Sequence, residues 1–139
     1  MSALAILAAI TMWSHHPLRT LQPGRGQDSV VTAQMPDTPV GRRTAAFLAA
    51  FSAGTEAMEA FISEQMTPTG VSPTERAKSG EAMRERLGRV TFNRVLSAEG
   101  NKLVIVANAE KVGLVKVTTE VQAIAPYLML PCPDFNPYP

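Results

Sequence analysis

Residues 89–121, RVTFNRVLSAEGNKLVIVANAEKVGLVKVTTEV, decide the fold. Apolar side chains recur there at every second position, the period of a strand with one buried face. Val90, Phe92, Arg94 and Leu96 share one parity, and Thr91, Asn93, Val95 and Ser97 the other. Glu99-Gly100-Asn101-Lys102 reads as a turn. The run 103–107, LVIVA, is dense enough in β-branched residues for a strand buried on both faces. A second turn at 108–111 leads to Gly113, Val115, Val117, Thr119 and Val121, which alternate with Leu114, Lys116, Thr118 and Glu120. Connections this short join antiparallel neighbours, because a parallel crossover takes about a dozen residues. The segment 127–130, YLML, is expected as a short fourth strand that Pro126 and Pro131 confine to an edge.

Upstream of residue 89 the period is that of a helix. Thr44, Phe47, Leu48 and Phe51 fall at i, i+3, i+4 and i+7, behind a Thr38-Pro39 pair suited to N-cap and N1. Gly54 ends this helix, and Thr55 is placed to cap a second one with Met58, Phe61, Ile62 and Met66 on its inner face. Ser72-Pro73-Thr74-Glu75 has the spacing of a capping box. It predicts a third helix over 73–87, with Ala77, Gly80, Met83 and Leu87 as its buried stripe and Gly88 just past its end. The fold class is therefore α+β, with three helices packed on a curved antiparallel sheet of three to four strands over 38–131. Neither layer can bury its apolar side alone.

The flanks read differently. Residues 3–13, ALAILAAITMW, form an apolar run too short to span a bilayer, which takes about 20 residues. Its length suits the core of a signal peptide, which makes a periplasmic or secreted setting the expectation and a cytoplasmic one the alternative. Prolines and glycines across 17–37 predict a solvated linker, so 1–37 is leader and linker. Residues 131–139, PCPDFNPYP, hold four prolines in nine positions. Positions 132–139 are accordingly expected as an extended, Pro-rich tail, with Cys132 as an unpaired thiol.

Composition excludes several function classes. Across 139 residues the net charge is +1, without the basic excess that nucleic-acid binding requires. One cysteine rules out an internal disulfide and any zinc site built from several cysteines. No metal or organic cofactor is expected. The sequence holds no G-x-S-x-G, S-x-x-K, H-E-x-x-H or phosphate-loop pattern. Its aspartates, Asp28, Asp37 and Asp134, fall outside the predicted body, so a general base would have to be a glutamate. Glu99 and Glu110 lie in turns and Glu120 on the strand face of Lys116, none with an apolar pocket around it. Arg94 shares the parity of Val90 and Phe92. It is expected either at a bulge or rim with a snorkelling stem, or in the concave face as an anion-binding group.

Two runs carry a family resemblance. Phe47-Leu48-Ala49-Ala50-Phe51-Ser52-Ala53-Gly54 resembles the "F-L-x-A-F-N-S-G-D" opening of nuclear transport factor 2-like (SnoaL-like) domains. Arg84-Glu85-Arg86-Leu87-Gly88-Arg89-Val90-Thr91 resembles the "R-x-x-L-G-x-L" helix-to-strand junction of a bacterial branch found ahead of periplasmic serine hydrolases. Ser52 stands where that pattern has asparagine, and Thr55 where it has aspartate. The resemblance implies a cone-like domain, and homodimers through the sheet in many relatives. No position here supplies the pocket aspartate or histidine of its isomerase-type members.

The leading expectation is a non-catalytic ligand-binding or protein-interaction module. Its apolar cavity would be lined by Phe47, Phe51, Phe61, Met83 and Phe92, with Arg94 as its anion-binding candidate. The partners expected are a small apolar ligand and a second copy of the chain, the latter through Val115, Val117 and Val121. The rivals are a small cofactor-free isomerase or cyclase using a cavity carboxylate, and an accessory domain for a separately encoded hydrolase.

Overall fold

The computed structural model describes residues 33–131 and 133–139. The leader at residues 3–13, most of the linker and Cys132 lie outside the described residues. The chain passes through α1 (Pro39–Ala53), α2 (Thr55–Gln65), α3 (Pro73–Ser79) and α4 (Glu81–Leu87). It then forms β1 (Val90–Glu99), β2 (Lys102–Ala109), β3 (Gly113–Glu120) and β4 (Asp134–Pro137). All strand pairs are antiparallel, in the order β1-β2-β3-β4. The architecture is α+β, with α1 against β1, β2 and β3, α2 on α1, and α3 on α2.

The helix ends follow their local chemistry. Thr38 Oγ1 accepts from the Gly41 amide at 3.2 Å with Pro39 in the first turn. Ser72 and Glu75 form the full capping box, each side chain accepting the other's backbone N–H. Thr55 does not cap α2; its hydroxyl donates to Glu81 Oε1 at 2.8 Å and accepts from Arg84 Nη2. The helix expected over 73–87 is broken at Gly80 into α3 and α4. Glycine is about 1 kcal/mol poorer than alanine inside a helix. Ser79 Oγ also donates to the Arg76 carbonyl, and Arg84 Nη1 donates to the Ala77 carbonyl at 3.3 Å, so side chains satisfy acceptors where the helix stops. Gly88, at φ 71, joins α4 to β1, and a Cβ there would lie 3.0 Å from Glu110 Cβ.

The core sits between α1 and the sheet. Leu103, Ile105 and Ala107 of β2, with Val115, Val117 and Thr119 of β3, face the helices. Val115, Val117 and Val121 are only 3%, 0% and 1% exposed, so they are core residues and not the sheet-mediated interface expected of them. A buried polar link crosses this layer. Thr44 Oγ1 donates to the Val40 carbonyl at 2.8 Å and shares a hydrogen bond of 2.6 Å with Thr119 Oγ1. Ser52 ties the end of α1 to the start of β1: its hydroxyl donates to the Val90 carbonyl and accepts from the Val90 amide.

One open alternative, the position of Arg94, is decided, and one further expectation is corrected. The register of β1 on β2 shifts between Phe92 and Arg94 and again between Val95 and Ser97. A bulge inserts an extra residue and reverses the parity beyond it. Val95, opposite Ile105, therefore points into the core, while Arg94, opposite Val106, points away from it. The fourth strand is not 127–130, where Met129 makes only isolated bridges to Met66 and Val121. The segment expected as a separate tail provides it, because Asp134–Pro137 pairs with Thr118 to Val115 of β3. Proline is tolerated there because β4 is the last strand of the sheet. Arg43 holds the intervening loop to the helices, donating to the carbonyls of Pro126 and Tyr127 and to Gln65 Oε1.

Candidate functional site

The placement of β4 creates a hollow that no single segment encodes. Phe135 faces inward beside Val117, and its ring centroid lies 5.1 Å from that of Phe51 and 6.0 Å from that of Phe47. Phe47 also meets Phe61 at 5.8 Å, so four aromatic rings form one continuous group. On the α3–α4 side of this group lies a cavity of about 560 Å3. Its floor is Phe47, Phe51 and Phe135, and α2 contributes Met58, Ile62 and, at its end, Met66. Ala77 and Met83 of α3 and α4 form a third wall, and Pro131 and Pro133 close the side toward the C-terminus. Val71, half exposed, forms an apolar lip.

Small-molecule sites are typically about 300–1,000 Å3, mostly apolar, with a few convergent polar groups. Here the polar groups on the lining are Thr69, Ser79, Arg76 and Arg84. Arg76 donates from Nη1 to the Thr67 carbonyl at 3.2 Å and from Nη2 to Met66 Sδ at 3.6 Å. Arg84 donates to the Ala77 carbonyl and to Thr55 Oγ1. Both guanidinium groups are thus half-buried against neutral acceptors. Among the described residues the ion pair formed is Arg42 with Asp37, away from the cavity.

The predicted site residues divide. Phe47, Phe51 and Met83 line the cavity. Phe61 is buried behind it in the core. Phe92 lines a separate, shallower hollow with Leu48, Ala49 and Ser52 at the α1–β1 junction. Arg94 lies on the opposite face of the sheet, its guanidinium carbon 5.3 Å from the centroid of the Tyr138 ring and its Nη1 on Asn93 Oδ1. That contact is a cation–π pair at a bulge, so Arg94 is not the anion-binding group of the cavity. Phe135, an aromatic of the C-terminal tail free from its sequence to dock on the domain or on a partner, docks on the domain, and the lining residues that the sequence does not mark are Pro131, Pro133, Arg76 and Arg84. The alternation of Phe135 with Asn136 was the one local signal available for the tail.

Glu99, Glu110 and Glu120 are all exposed, and none lines the cavity. Glu110 accepts from the Arg89 amide and Glu120 from Asn101, both structural roles at turns. Among the described residues, no cluster of three or more His, Cys, Asp or Glu side chains could hold a metal ion. No described helix is long and apolar enough to cross a membrane. No protein-family model matches the chain, and neither the curated proteins nor the solved structures yield a significant match.

Proposed function

We propose that the chain is a ligand-binding module that takes a small apolar molecule into the cavity between the helices and the C-terminal segment and carries out no chemistry on it. The observation that carries this reading is the cavity itself. About 560 Å3 is bordered by aromatic, Met and Pro side chains, with no carboxylate or imidazole on the lining. A general acid–base mechanism needs a group within hydrogen-bond reach of the reacting atom. The exposed positions of Glu99, Glu110 and Glu120 disfavour the isomerase alternative. The nuclear transport factor 2-like resemblance belongs to the same proposal, as does a periplasmic or secreted setting inferred from residues 3–13.

Titration with the neutral apolar dye Nile red tests the reading. One equivalent is expected to bind with a fluorescence gain, and Met83→Trp, which places an indole in the hollow, is expected to remove that gain while the circular dichroism spectrum is kept. Equal dye binding by a folded Met83→Trp variant would contradict it.

A second reading, pairing of two copies through the sheet, rests on the face turned away from the helices. Val104 and Leu114 are half-buried there, with surface left to cover. Sedimentation would show a dimer that Val104→Lys splits. A monomer at every concentration would remove the idea.

A further inference from the structure

We infer that the preferred occupant of the cavity is a single-tailed amphiphile with an anionic head group, held by Arg76 and Arg84; this rests on the cavity being a ligand site. Both arginines are permanently charged and lie on the lining of an otherwise apolar hollow. Removing a cation from water is costly unless an anion or enough acceptors replace the water. The acceptors in place are few. Arg76 uses one N–H on a carbonyl and one on a thioether, and Arg84 uses one on a carbonyl and one on a hydroxyl. A guanidinium has five N–H donors, so each retains three.

The bonds already made fix where those donors are. The break at Gly80 divides the helical segment, with Arg76 on α3 and Arg84 on α4. Arg84 is braced across the break by the Ala77 carbonyl, and Arg76 against the segment that follows α2. Two braced forks over an apolar chamber suit a ligand that is charged at one end and hydrocarbon at the other. Charge-assisted bonds from guanidinium to carboxylate are roughly twice as strong as neutral ones. The tail would lie along Met58, Met66 and Met83, whose unbranched thioethers adapt to a flexible chain.

The test is calorimetric titration of the full chain with sodium decanoate and with 1-decanol, both kept below aggregation, at low and high salt. Decanoate is expected to bind about tenfold or more tightly than decanol. That preference should shrink with added salt, as screening requires. In the Arg76→Gln/Arg84→Gln double variant the decanoate affinity should fall to that of decanol. Equal affinities in the unmodified chain would overturn the anionic-head inference and leave the apolar site standing. Binding of neither compound would overturn both. A decanoate preference that persists in the folded double variant would assign the charge recognition elsewhere. The salt series on the unmodified chain decides the matter by itself if the variant does not fold.

Discussion

The two sides of the Phe47 cluster are filled to different standards. Toward the sheet, Leu103, Ile105 and Val117 are completely buried, and even the polar pair Thr44 and Thr119 is closed off and mutually satisfied. Toward α3 and α4, Met58, Met66, Met83, Pro131 and Pro133 surround about 560 Å3 of open space. β-branched side chains have few rotamers and interlock on a pleated surface. Methionine adapts to irregular gaps, and proline fixes the backbone without filling depth. One side therefore carries the stability, and the other has room for a ligand. Substitutions should separate the two properties.

The largest loss is expected from Ile105→Ala. Ile105 has no exposed surface, and large-to-small changes in such positions cost about 2–5 kcal/mol through lost transfer energy and a new void. Urea denaturation should show that loss, with an unchanged affinity for the neutral dye. Gly41→Ala comes next and runs against helix propensity. Alanine normally gains about 1 kcal/mol over glycine inside a helix. Here its Cβ would fall 1.9 Å from the Pro36 carbonyl oxygen, so the backbone ahead of α1 must move. A net destabilisation of about 1–3 kcal/mol is expected on the scale of overpacked cores, read by the thermal midpoint. A gain in stability would show that this entry into α1 is not fixed. The smallest stability effect is expected from Met83→Ala. It removes a half-buried side chain that already borders empty space, for about 1 kcal/mol or less by denaturation. Its dye affinity should nevertheless fall. A loss for Met83→Ala as large as that for Ile105→Ala would erase the contrast between the two sides.

The sequence makes this contrast legible on one side only. The Thr38-Pro39 and Ser72–Glu75 caps are local signals, and so is the period-two pattern of β2 and β3; each lies where local chemistry puts it. The exposed carboxylates at 99, 110 and 120 likewise follow from their place in turns and on a polar strand face. The bulges of β1 have no comparable signature. They turn Arg94 away from the cavity and Val95 into the core through pairing with β2, a property of two strands together. β4 is hidden for a different reason. Pro133, Pro137 and Pro139 read as strand breakers, yet an edge position requires few ladder donors of them. Phe135, with Pro131 and Pro133 just ahead of β4, closes one side of the cavity. Arg84, beside Glu81 and Glu85, looks like part of a solvated charged face in one dimension, and no local pattern marks Arg76. Only the break at Gly80 and their bonds to Thr67, Ala77 and Thr55 bring them to the lining. Long-range ties such as Arg43 to the carbonyls of Pro126 and Tyr127 are invisible to any periodicity.

The most direct measurement of the central claim is the methyl spectrum of the 13C-methionine-labelled chain during titration with the neutral dye. The methyl groups of Met58, Met66 and Met83 border the cavity, whereas Met129 is buried outside its lining. Saturable shifts at Met58, Met66 and Met83, with Met129 unmoved, are the predicted result. Shifts absent from all three, or spread equally to Met129, would contradict a ligand site in this cavity.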